Sequence, residues 1–546
     1  MIFNKHTAKQ NIIVFSIIVG VLFLTSLPYM VGLFLANGDV YLGGNYLNQG
    51  DLHVYLSNIE QVKNGKLLTA NNFTSETQKD IFFAPLWLLL GWLARFLQIN
   101  SLLIFHLARV IAGFIFLIFL FYYFLDIFFS KFFNKLVAFI LICFSSGLGF
   151  FFKPRVEGII TDDRIIFNNF AIDLIMPEAN VFLSLAHSAL FIFSQLIILL
   201  IFYLVLKKEF KQRDLLYLFC SGCLLGFLHT YDIIIVAAVL TVYFFVQLAF
   251  FALKGLKFSW QKYLHKYTAV LISFLPALAY WFFILKPEPT IWGWVEQNII
   301  LSSPVRGYII GYLPVIVFCL ISLYLIRHKL LNKKIIFLLC WIIILFILVY
   351  LPFAWQRKLI STVQIALAIL GTYGALAIIR YFLKIYQAKI LNIIVIIILL
   401  VFISLSNLSF ITSTIYHYQE LHYIFYFPQN YWQAVNWYRD NSNDSQAILS
   451  AALNGSAIAG LTGWPVYVGH PHQTIDYKNK RDLLDNWFFK ADQQDQKKKE
   501  FLQENNINYI FYSEREKFLG EYNLDNIDWL DQVYDQQNVK IYKVNY

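Results

Sequence analysis

Long apolar runs separated by polar breaks fill most of the chain, up to about residue 412. A helix needs about 20 apolar residues to cross the hydrocarbon core of a bilayer. The runs therefore predict membrane spans at residues 12–35, 101–126, 132–151, 185–206, 215–230, 233–253, 267–285, 305–326, 335–352, 360–379 and 390–412. We expect an α-helical polytopic membrane protein with about 11 transmembrane helices.

The shorter breaks are rich in lysine and arginine, with clusters at Lys5–Lys9, Lys131–Lys135, Lys207–Arg213, Lys254–Lys266, Arg327–Lys334 and Arg380–Lys389. Short cytoplasmic loops carry this excess, so the spans between clusters come in pairs. The N terminus is then cytoplasmic and the polar tail extracytoplasmic. The apolar run 82–97 is short and contains Pro85, Gly91 and Arg95. We interpret it as interfacial or re-entrant, because another crossing there would violate the charge rule.

The orientation places every long polar segment outside the cytoplasm. We divide the chain into a transmembrane domain, residues 1–414, with outer loops 36–81 and 152–184, and a small extracytoplasmic α/β domain, residues 415–546. In the tail, the residue pattern predicts helices at 431–440, 480–489 and 497–505, strands at 446–451, 466–469, 509–512 and 539–544, and a turn at Asn454-Gly455-Ser456.

The composition agrees with this division. Of the 546 residues, 59% are hydrophobic and 14% are charged, whereas soluble domains carry about 25% charged residues. The net charge of +10 is uneven, because the tail from residue 415 has 12 Lys+Arg and 17 Asp+Glu, which leaves +15 for residues 1–414. The basic excess therefore reflects membrane orientation. An ordinary soluble enzyme is excluded, and a nucleic-acid partner is not indicated.

Asp51 is the main catalytic candidate in the first outer loop, a short way past the first span. A carboxylate near the membrane surface could act as a general base on an acceptor hydroxyl, or position it. Asp51 also precedes an amphipathic stretch in which Val54, Ile59 and Val62 could share one face. Aspartate is a favoured helix N-cap, and the residues alone favour that role. Asp39, in an Asn-Gly-Asp turn, is a weaker candidate.

Acidic residues of the second outer loop could bind a divalent cation, Mg²⁺ or Mn²⁺, because hard cations prefer oxygen ligands. Asp163 and Asp173 are the candidate metal ligands, although no spacing motif defines a site and a solvated loop accounts for most of these charges. Glu178 closely precedes a span, so its carboxylate should lie at the membrane boundary beside the positive end of a helix. We regard Glu178 as a candidate substrate-binding residue.

Two further pairs of ionisable residues lie beside later spans, where charge is costly and often functional. His229 and Asp232 occupy a turn between two spans, where Asp232 could hold the imidazole or bind a sugar hydroxyl. Arg357 and Lys358 place two cations on a short outer turn, against the charge rule. This arrangement suits a lipid phosphate. For Arg357, snorkelling toward lipid headgroups is an equal alternative.

Several segments share features with one family: Gly50–Gly65, Asn72–Glu76, Leu89–Gly91, Phe353–Lys358 and Gly463–His470. Together with the order of helix, acidic outer loop, interfacial helix, many spans and outer domain, they resemble bacterial members of the GT-C superfamily of membrane glycosyltransferases. The resemblance implies a polyprenyl-phosphate-linked sugar donor, used on the extracytoplasmic side of the cell membrane. It also implies that Asp51 is the catalytic carboxylate and that Arg357, with Lys358, holds the donor phosphate.

The resemblance also implies that metal-using members carry acidic residues in the second outer loop, where Glu178, Asp173 and Asp163 are the candidates. No Asp-x-Asp pattern occurs in either outer loop. His470 belongs to a domain that could cover the site, although an ordinary turn residue is the simpler interpretation. The implied enzyme is a hexosyltransferase of cell-envelope glycan synthesis, with a glycan, lipid or protein acceptor.

Two other functions stay open on the sequence alone. A transporter or flippase of lipid-linked glycans would need a continuous polar path through the spans, whereas most spans are apolar throughout. A non-catalytic membrane scaffold would use the tail to bind a partner, and Asp51 and Arg357 would then be dispensable.

Overall fold

The computed structural model describes residues 6–152, 171–207, 209–255, 260–385, 389–420, 422–443, 445–491, 494–525 and 527–546. In chain order, the first helices are α1 (Ala8–Phe34), α2 (Gln49–Lys63), α3 (Pro85–Leu97), α4 (Ser101–Phe119), α5 (Phe132–Phe144), α6 (Ile172–Ile175), α7 (Val181–His187), α8 (Ala189–Leu206), α9 (Arg213–Leu228), α10 (Asp232–Leu253), α11 (Trp260–Ser273) and α12 (Leu275–Tyr280). The later helices are α13 (Pro289–Gln297), α14 (Val305–Leu325), α15 (Lys333–Leu348), α16 (Val363–Ile385), α17 (Lys389–Ile403), α18 (Leu405–Glu420), α19 (His422–Phe425), α20 (Gln429–Asn441), α21 (Ala452–Thr462), α22 (Tyr477–Leu483), α23 (Asp495–Glu504) and α24 (Glu514–Leu519).

The strands are β1 (Val40–Tyr41), β2 (Tyr426–Phe427), β3 (Ala447–Leu449), β4 (Ile507–Tyr512), β5 (Leu530–Gln536) and β6 (Val539–Val544). Short π- or 3₁₀-helical turns occur at Leu120–Phe124, Leu125–Ile127, Gly149–Phe152, Pro177–Ala179, Trp281–Leu285, Arg327–Lys329, Gln356–Ile360 and Leu484–Phe488.

The described helices confirm a multi-pass membrane protein. Eight stretches are long and apolar enough to span a bilayer: Ala8–Phe34, Ser101–Ile127, Phe132–Phe152, Ala189–Leu206, Asp232–Leu253, Leu264–Leu285, Val305–Leu325 and Gln356–Lys384. α17 and α18 would form one more span, with a bend of 62°. α9 and α15, with 16 residues each, coincide with two further predicted spans. Each of the eleven predicted spans therefore coincides with a helix or a bent helix pair. α3 has 13 residues, too few to span.

The described chain forms two compact units. The first unit comprises Met1–Pro28, Leu107–Leu278 and Ile300–Ser413, and the second comprises Tyr29–His106, Ala279–Ile299 and Thr414–Tyr546. The second unit therefore contains the tail together with the first outer loop and α13, which a division at residue 414 assigns to the transmembrane domain. The physical reason is that α2 of the loop packs against α21 of the tail.

In the first unit, α14 and α16 pack backbone against backbone. A Cβ on Gly374 would lie 2.1 Å from Phe318 O, so only glycine allows this approach. The Gly374 N–H donates to Ser322 Oγ (2.7 Å), and Cys319 Sγ donates to Leu367 O (3.0 Å). Small residues of this kind are typical of helix pairs in membranes, where close contact replaces the hydrophobic effect.

The bend between α17 and α18 leaves backbone groups that no helix turn satisfies. Ser146 supplies the missing partners, since its N–H (2.6 Å) and its Oγ–H (3.0 Å) both donate to Ile403 O. Ser146 Oγ also accepts from the Ser406 N–H (3.2 Å). Irregular backbone at membrane depth is tolerated where protein groups pair it, so the end of α5 stabilises this bend.

In the second unit, a four-stranded sheet has the order β3-β4-β6-β5, with β3 parallel to β4 and the other pairs antiparallel. Its two faces are both covered. Phe511 and Ile541 belong to one apolar cluster, whereas their neighbours Ile510 and Tyr542 belong to another. This alternation is the two-residue period of a strand, and it makes the sheet the centre of the tail.

Two predictions for the tail are wrong. Asn454-Gly455-Ser456 lies within the helix α21 and not in a turn, because the segment is buried and a Cβ on Gly455 would lie 2.0 Å from Val468 O. Residues 466–469 form only isolated bridges, Ile448 with Val466 and Thr74 with Val468. The edge strand β5 was not predicted, since most of its side chains are polar and exposed.

Gly91 tests the packing of α2 against α3. A Cβ on Gly91 would lie 2.4 Å from Val62 Cβ and 2.8 Å from Ile59 O. We expect Gly91→Ala to destabilise the protein by about 1–3 kcal/mol, the cost of overpacking, seen as a lower thermal unfolding temperature in detergent. Gly20→Ala in α1 is the control, because a Cβ there meets nothing within 4 Å. An unchanged unfolding temperature in Gly91→Ala would contradict the close packing.

Candidate functional site

Asp51 lies in the first turn of α2. The N-cap is Asn48, whose Oδ1 accepts from the Asn45 N–H (2.8 Å) and not from the helix. The expectation that Asp51 caps the helix is therefore wrong. Its side chain is 52% exposed, and Oδ1 lies 3.6 Å from His470 Nε2. The partial positive charge at the start of α2 attracts this carboxylate.

His470 presents an N–H to Asp51. The Nδ1 atom of His470 accepts from the backbone N–H groups of His472 (3.1 Å) and Gln473 (3.2 Å). An imidazole nitrogen that accepts carries no proton, so the proton of the neutral ring is on Nε2, the atom that faces Asp51. Gly50 is needed here, because a Cβ would lie 2.8 Å from His470 Cδ2. The ring therefore lies directly against the start of α2.

His53 joins α2 to the tail as a neutral residue. It is buried, and its Nδ1 lies 2.9 Å from Ser456 Oγ of α21. A Cβ on Gly460 would lie 3.0 Å from His53 Cβ, so α21 passes close to this side chain. Burial, and then the nearby His470, lower the pKa of His53 to about 3. Its contacts thus need no counter-ion.

The turn that carries His470 is tied to the first outer loop on its other side. Thr474 Oγ1 donates to Phe73 O (2.6 Å). Lys480 Nζ donates to Glu76 Oε1 (2.6 Å), and this lysine is largely buried, which lowers its pKa although Glu76 opposes that shift. Segments far apart in sequence are thereby held together around Asp51.

The first unit brings two predicted substrate ligands onto neighbouring turns. Arg357 belongs to the turn Gln356–Ile360, which packs against the turn Pro177–Ala179 that contains Glu178. Both side chains interact electrostatically with Tyr308 in α14. Glu178 is only 5% exposed. An arginine and a glutamate on adjacent turns give a site of mixed charge at the end of the spans.

The remaining predicted ligands of this unit form a continuous chain of hydrogen bonds. Lys358 Nζ donates to Tyr231 Oη (3.1 Å), and Tyr231 Oη lies 2.5 Å from His229 Nε2. His229 Nδ1 lies 2.7 Å from Asp232 Oδ2, which also accepts from Ser194 Oγ. Asp232 is fully buried and His229 is 6% exposed, and their contact agrees with the sequence-based interpretation in which Asp232 holds the imidazole.

Three members of these clusters were missed by sequence reasoning. Tyr231 lies between two residues that were singled out, and a tyrosine inside a His-x-Tyr-Asp turn could have been recognised as a hydrogen-bonding link. His53 follows Asp51 by two residues, but nothing in the sequence distinguishes it from a surface histidine. Ser194 lies in the middle of an apolar span and gives no signal.

Of the two candidate metal ligands, Asp173 belongs to the described part of the chain. Asp163 lies outside the described residues. Asp173 Oδ2 accepts from the N–H groups of Gly147 (2.9 Å) and Gly149 (3.2 Å), and burial raises its pKa to about 6. No group of three or more His, Cys, Asp or Glu side chains in the described ranges could hold a metal ion.

No family model matches the chain, and no curated protein matches it in sequence. Solved structures do match. The oligosaccharyltransferase of Archaeoglobus fulgidus, tethered with an acceptor peptide, is similar with a TM-score of 0.53 and 13% identity over 91% of this chain and 69% of that one. Its apo form gives 0.51 and 14% over 92% and 69%. The chain has a GT-C fold.

ArnT from Cupriavidus metallidurans, bound to undecaprenyl phosphate, is a further similar structure, with a TM-score of 0.45 and 11% identity over 96% of this chain and 97% of that one. The resemblance seen in the sequence is confirmed at the level of the GT-C fold. The fold class, a helical multi-pass membrane protein with a small C-terminal sheet domain, is confirmed as well.

The burial of His53 predicts how stability depends on pH. The unfolded chain binds a proton at His53 near pH 6.5, whereas the folded chain does so only near pH 3. Between these values the unfolded state binds more protons, so stability falls as the pH falls. The loss is about 1.4 kcal/mol per pH unit below 6.5, and above pH 6.5 His53 contributes nothing.

Unfolding temperatures of the purified protein between pH 8 and 4.5 test this dependence. His53→Gln should flatten the decline below pH 6.5, whereas His328→Gln, at an exposed histidine, controls for the loss of a surface imidazole. Equal slopes in wild type and His53→Gln would show that the imidazole is not held neutral.

Proposed function

We propose that this protein is an integral-membrane glycosyltransferase, transferring a hexosyl group from a polyprenyl-phosphate-linked donor to an acceptor on the extracytoplasmic face of the cell membrane. The observation that supports the proposal most directly is the pairing of Asp51 with His470, 3.6 Å apart. A half-exposed aspartate, held at a helix N terminus and faced by an imidazole N–H, suits a general base that must meet an incoming acceptor.

The proposed reaction is a displacement at the anomeric carbon. The acceptor's nucleophilic atom forms the new bond to that carbon, while the bond from the carbon to the phosphate oxygen breaks and its electron pair leaves with the polyprenyl phosphate. The proton of the acceptor passes to the Asp51 carboxylate. His470 Nε2–H faces Oδ1, so Oδ2 is the oxygen that we assign to the acceptor proton.

The donor phosphate is assigned to Arg357 and Lys358. The Arg357 guanidinium can bind two phosphate oxygens at once and, as a fixed cation, stabilises the charge that develops on the leaving phosphate, while Lys358 holds the phosphate throughout the reaction. Glu178, on the turn packed against that of Arg357, would hold the guanidinium or a sugar hydroxyl. The surrounding apolar chain lowers the local dielectric and strengthens these interactions.

The solved relatives support the proposal through what they contain. The archaeal oligosaccharyltransferase holds an acceptor peptide with an NVT sequon, so this fold can present a macromolecular acceptor. For the present chain the acceptor class is a glycan, lipid or protein of the cell envelope. A transporter of lipid-linked glycans or a membrane scaffold would have no use for a general base at residue 51.

Asp51→Asn is expected to reduce sugar transfer by at least about 100-fold, the lower range for loss of a general base. Transfer is measured in membranes from a radiolabelled pool of polyprenyl-phosphate sugars, with equal amounts of inserted protein. Asp39→Asn is the matched control, because Asp39 is a partly exposed carboxylate of the same loop that lies 3.9 Å from His422. It should transfer at the wild-type rate.

Each other result has a defined meaning. Equal transfer by wild type and Asp51→Asn would remove Asp51 from the mechanism and direct attention to Glu178. An absence of transfer by wild type with every donor tested would contradict the enzyme proposal and favour a transporter or scaffold.

A further inference from the structure

Lys358 is one end of a hydrogen-bonded chain that continues through the partly buried Tyr231 to the buried His229, Asp232 and Ser194. We propose that Tyr231, His229, Asp232 and Ser194 form a positioning relay, which orients the Lys358 ammonium for the phosphate of a polyprenyl phosphate. This inference rests on the proposed function for its ligand. It assigns His229 and Asp232 a role behind the binding site, and so develops the sequence-based alternative in which Asp232 holds the imidazole and does not bind a sugar hydroxyl.

The buried end of the relay sets the hydrogen-bond directions when His229 is a neutral imidazole. The Asp232 carboxylate can only accept, and its Oδ2 receives Ser194 Oγ–H and His229 Nδ1–H. In a neutral ring, the proton on Nδ1 leaves Nε2 as an acceptor, and Tyr231 then donates its hydroxyl proton there. The Tyr231 oxygen then has only lone pairs to offer, and these suit an ammonium N–H of Lys358.

The two ends of the relay also carry opposite charges. Asp232 is fully buried, and a carboxylate without compensation is costly there. Lys358 provides a positive charge at the far end, linked through the side chains of Tyr231 and His229. Hydrogen bonds in a row polarise each other, so the negative charge of Asp232 makes Nε2 a better acceptor and Tyr231 Oη a better partner for the ammonium.

Aromatic packing holds the middle of the relay in place. The Tyr231 ring stacks on Trp355 (ring centroids 5.7 Å apart), and Trp355 stacks on Phe353 (4.9 Å). The Lys358 ammonium also lies 4.8 Å from the centre of the Tyr231 ring. A free lysine has many rotamers, and fixing it before the ligand arrives reduces the entropy lost on binding. The relay therefore preorganises a cation on the turn that also carries Arg357.

Tyr231→Phe is the decisive variant, because it removes the hydroxyl and keeps the ring that stacks on Trp355. Binding of undecaprenyl phosphate to the purified protein in nanodiscs is the primary measurement, and it needs no sugar transfer. We expect about tenfold weaker binding, the effect of losing a hydrogen bond to a charged group. In the transfer assay the donor KM should rise by a similar factor while kcat changes less than about twofold, since a phosphate contact present throughout the reaction acts on binding.

A double-mutant cycle tests whether Tyr231 acts through Lys358. Lys358→Ala should weaken binding of the phosphate probe at least as much as Tyr231→Phe, and the double variant should be no weaker than Lys358→Ala alone. Asp232→Asn and Ser194→Ala should each give a smaller loss in the same direction. Tyr122→Phe is the control: it removes a part-buried hydroxyl that bonds Asn11 in the same unit, and binding should not change.

Two further probes separate the contribution of the phosphate to binding from that of the polyprenyl chain. Undecaprenol, which lacks the phosphate, should bind equally to wild type and Tyr231→Phe, and inorganic phosphate should compete only weakly. An equal effect of Tyr231→Phe on undecaprenol would assign the residue to general structure and overturn the relay, as would losses that add in the double variant.

Wild-type binding by Tyr231→Phe at an unchanged unfolding temperature would overturn the relay directly. Failure of the proposed function is recognised separately, because wild type would then transfer no sugar even where the phosphate probe binds and responds to Tyr231. The binding and transfer assays therefore report on the two proposals independently.

Discussion

Polar groups that are buried in this apolar chain have to be paired with hydrogen-bond partners. Within each unit, the arrangement of the helices and turns follows from these hydrogen bonds. In the first unit, Arg109 donates to Leu185 O (2.7 Å) at the end of α7, where helix carbonyls lack partners. Asp173 holds two N–H groups of the turn after α5. In the second unit, neutral His53 links α2 to α21. The pairings of Arg109 and Asp173 fix a helix end and a turn, and that of His53 fixes a contact between two helices close to Asp51.

The spans could be predicted because a membrane helix is recognisable from its length and hydrophobicity alone. How the spans bend and touch could not, since those features depend on single polar or small residues meeting across the fold. Ser146 stabilises the bend after Ile403, and Gly374 allows α16 to contact α14. Neither residue differs in the sequence from many others like it. The same limit applies to Ser194, which is recognisable only once Asp232 is beside it.

In the tail, a local sequence pattern was misleading at one place. Its apolar strands β4 and β6 were predicted, but tertiary contacts override the local signal at Asn454-Gly455-Ser456. Asn454 Nδ2 donates to Glu516 Oε1 (2.8 Å), and the glycine accommodates a neighbouring backbone, so a turn-like triplet becomes buried helix. The sequence likewise identified Asp51 as a carboxylate of interest but not its orientation, because His470 reaches it only after the tail has folded onto the first loop.

The two candidate sites, Asp51 with His470 and Lys358 with its relay, differ in burial, and each degree of burial suits a different task. A base that serves an exchanging acceptor has to stay accessible, and Asp51 is half exposed beside a single imidazole N–H. A cation that anchors a lipid phosphate gains from being fixed beforehand, and Lys358 is backed by a relay that ends at a fully buried carboxylate. A fold does not define a substrate, so these side chains, and not the GT-C fold, carry the functional argument. The proposed displacement at the anomeric carbon requires both a proton acceptor and a stabilised leaving group, and the proposal assigns Asp51 to the first task and Arg357 with Lys358 to the second.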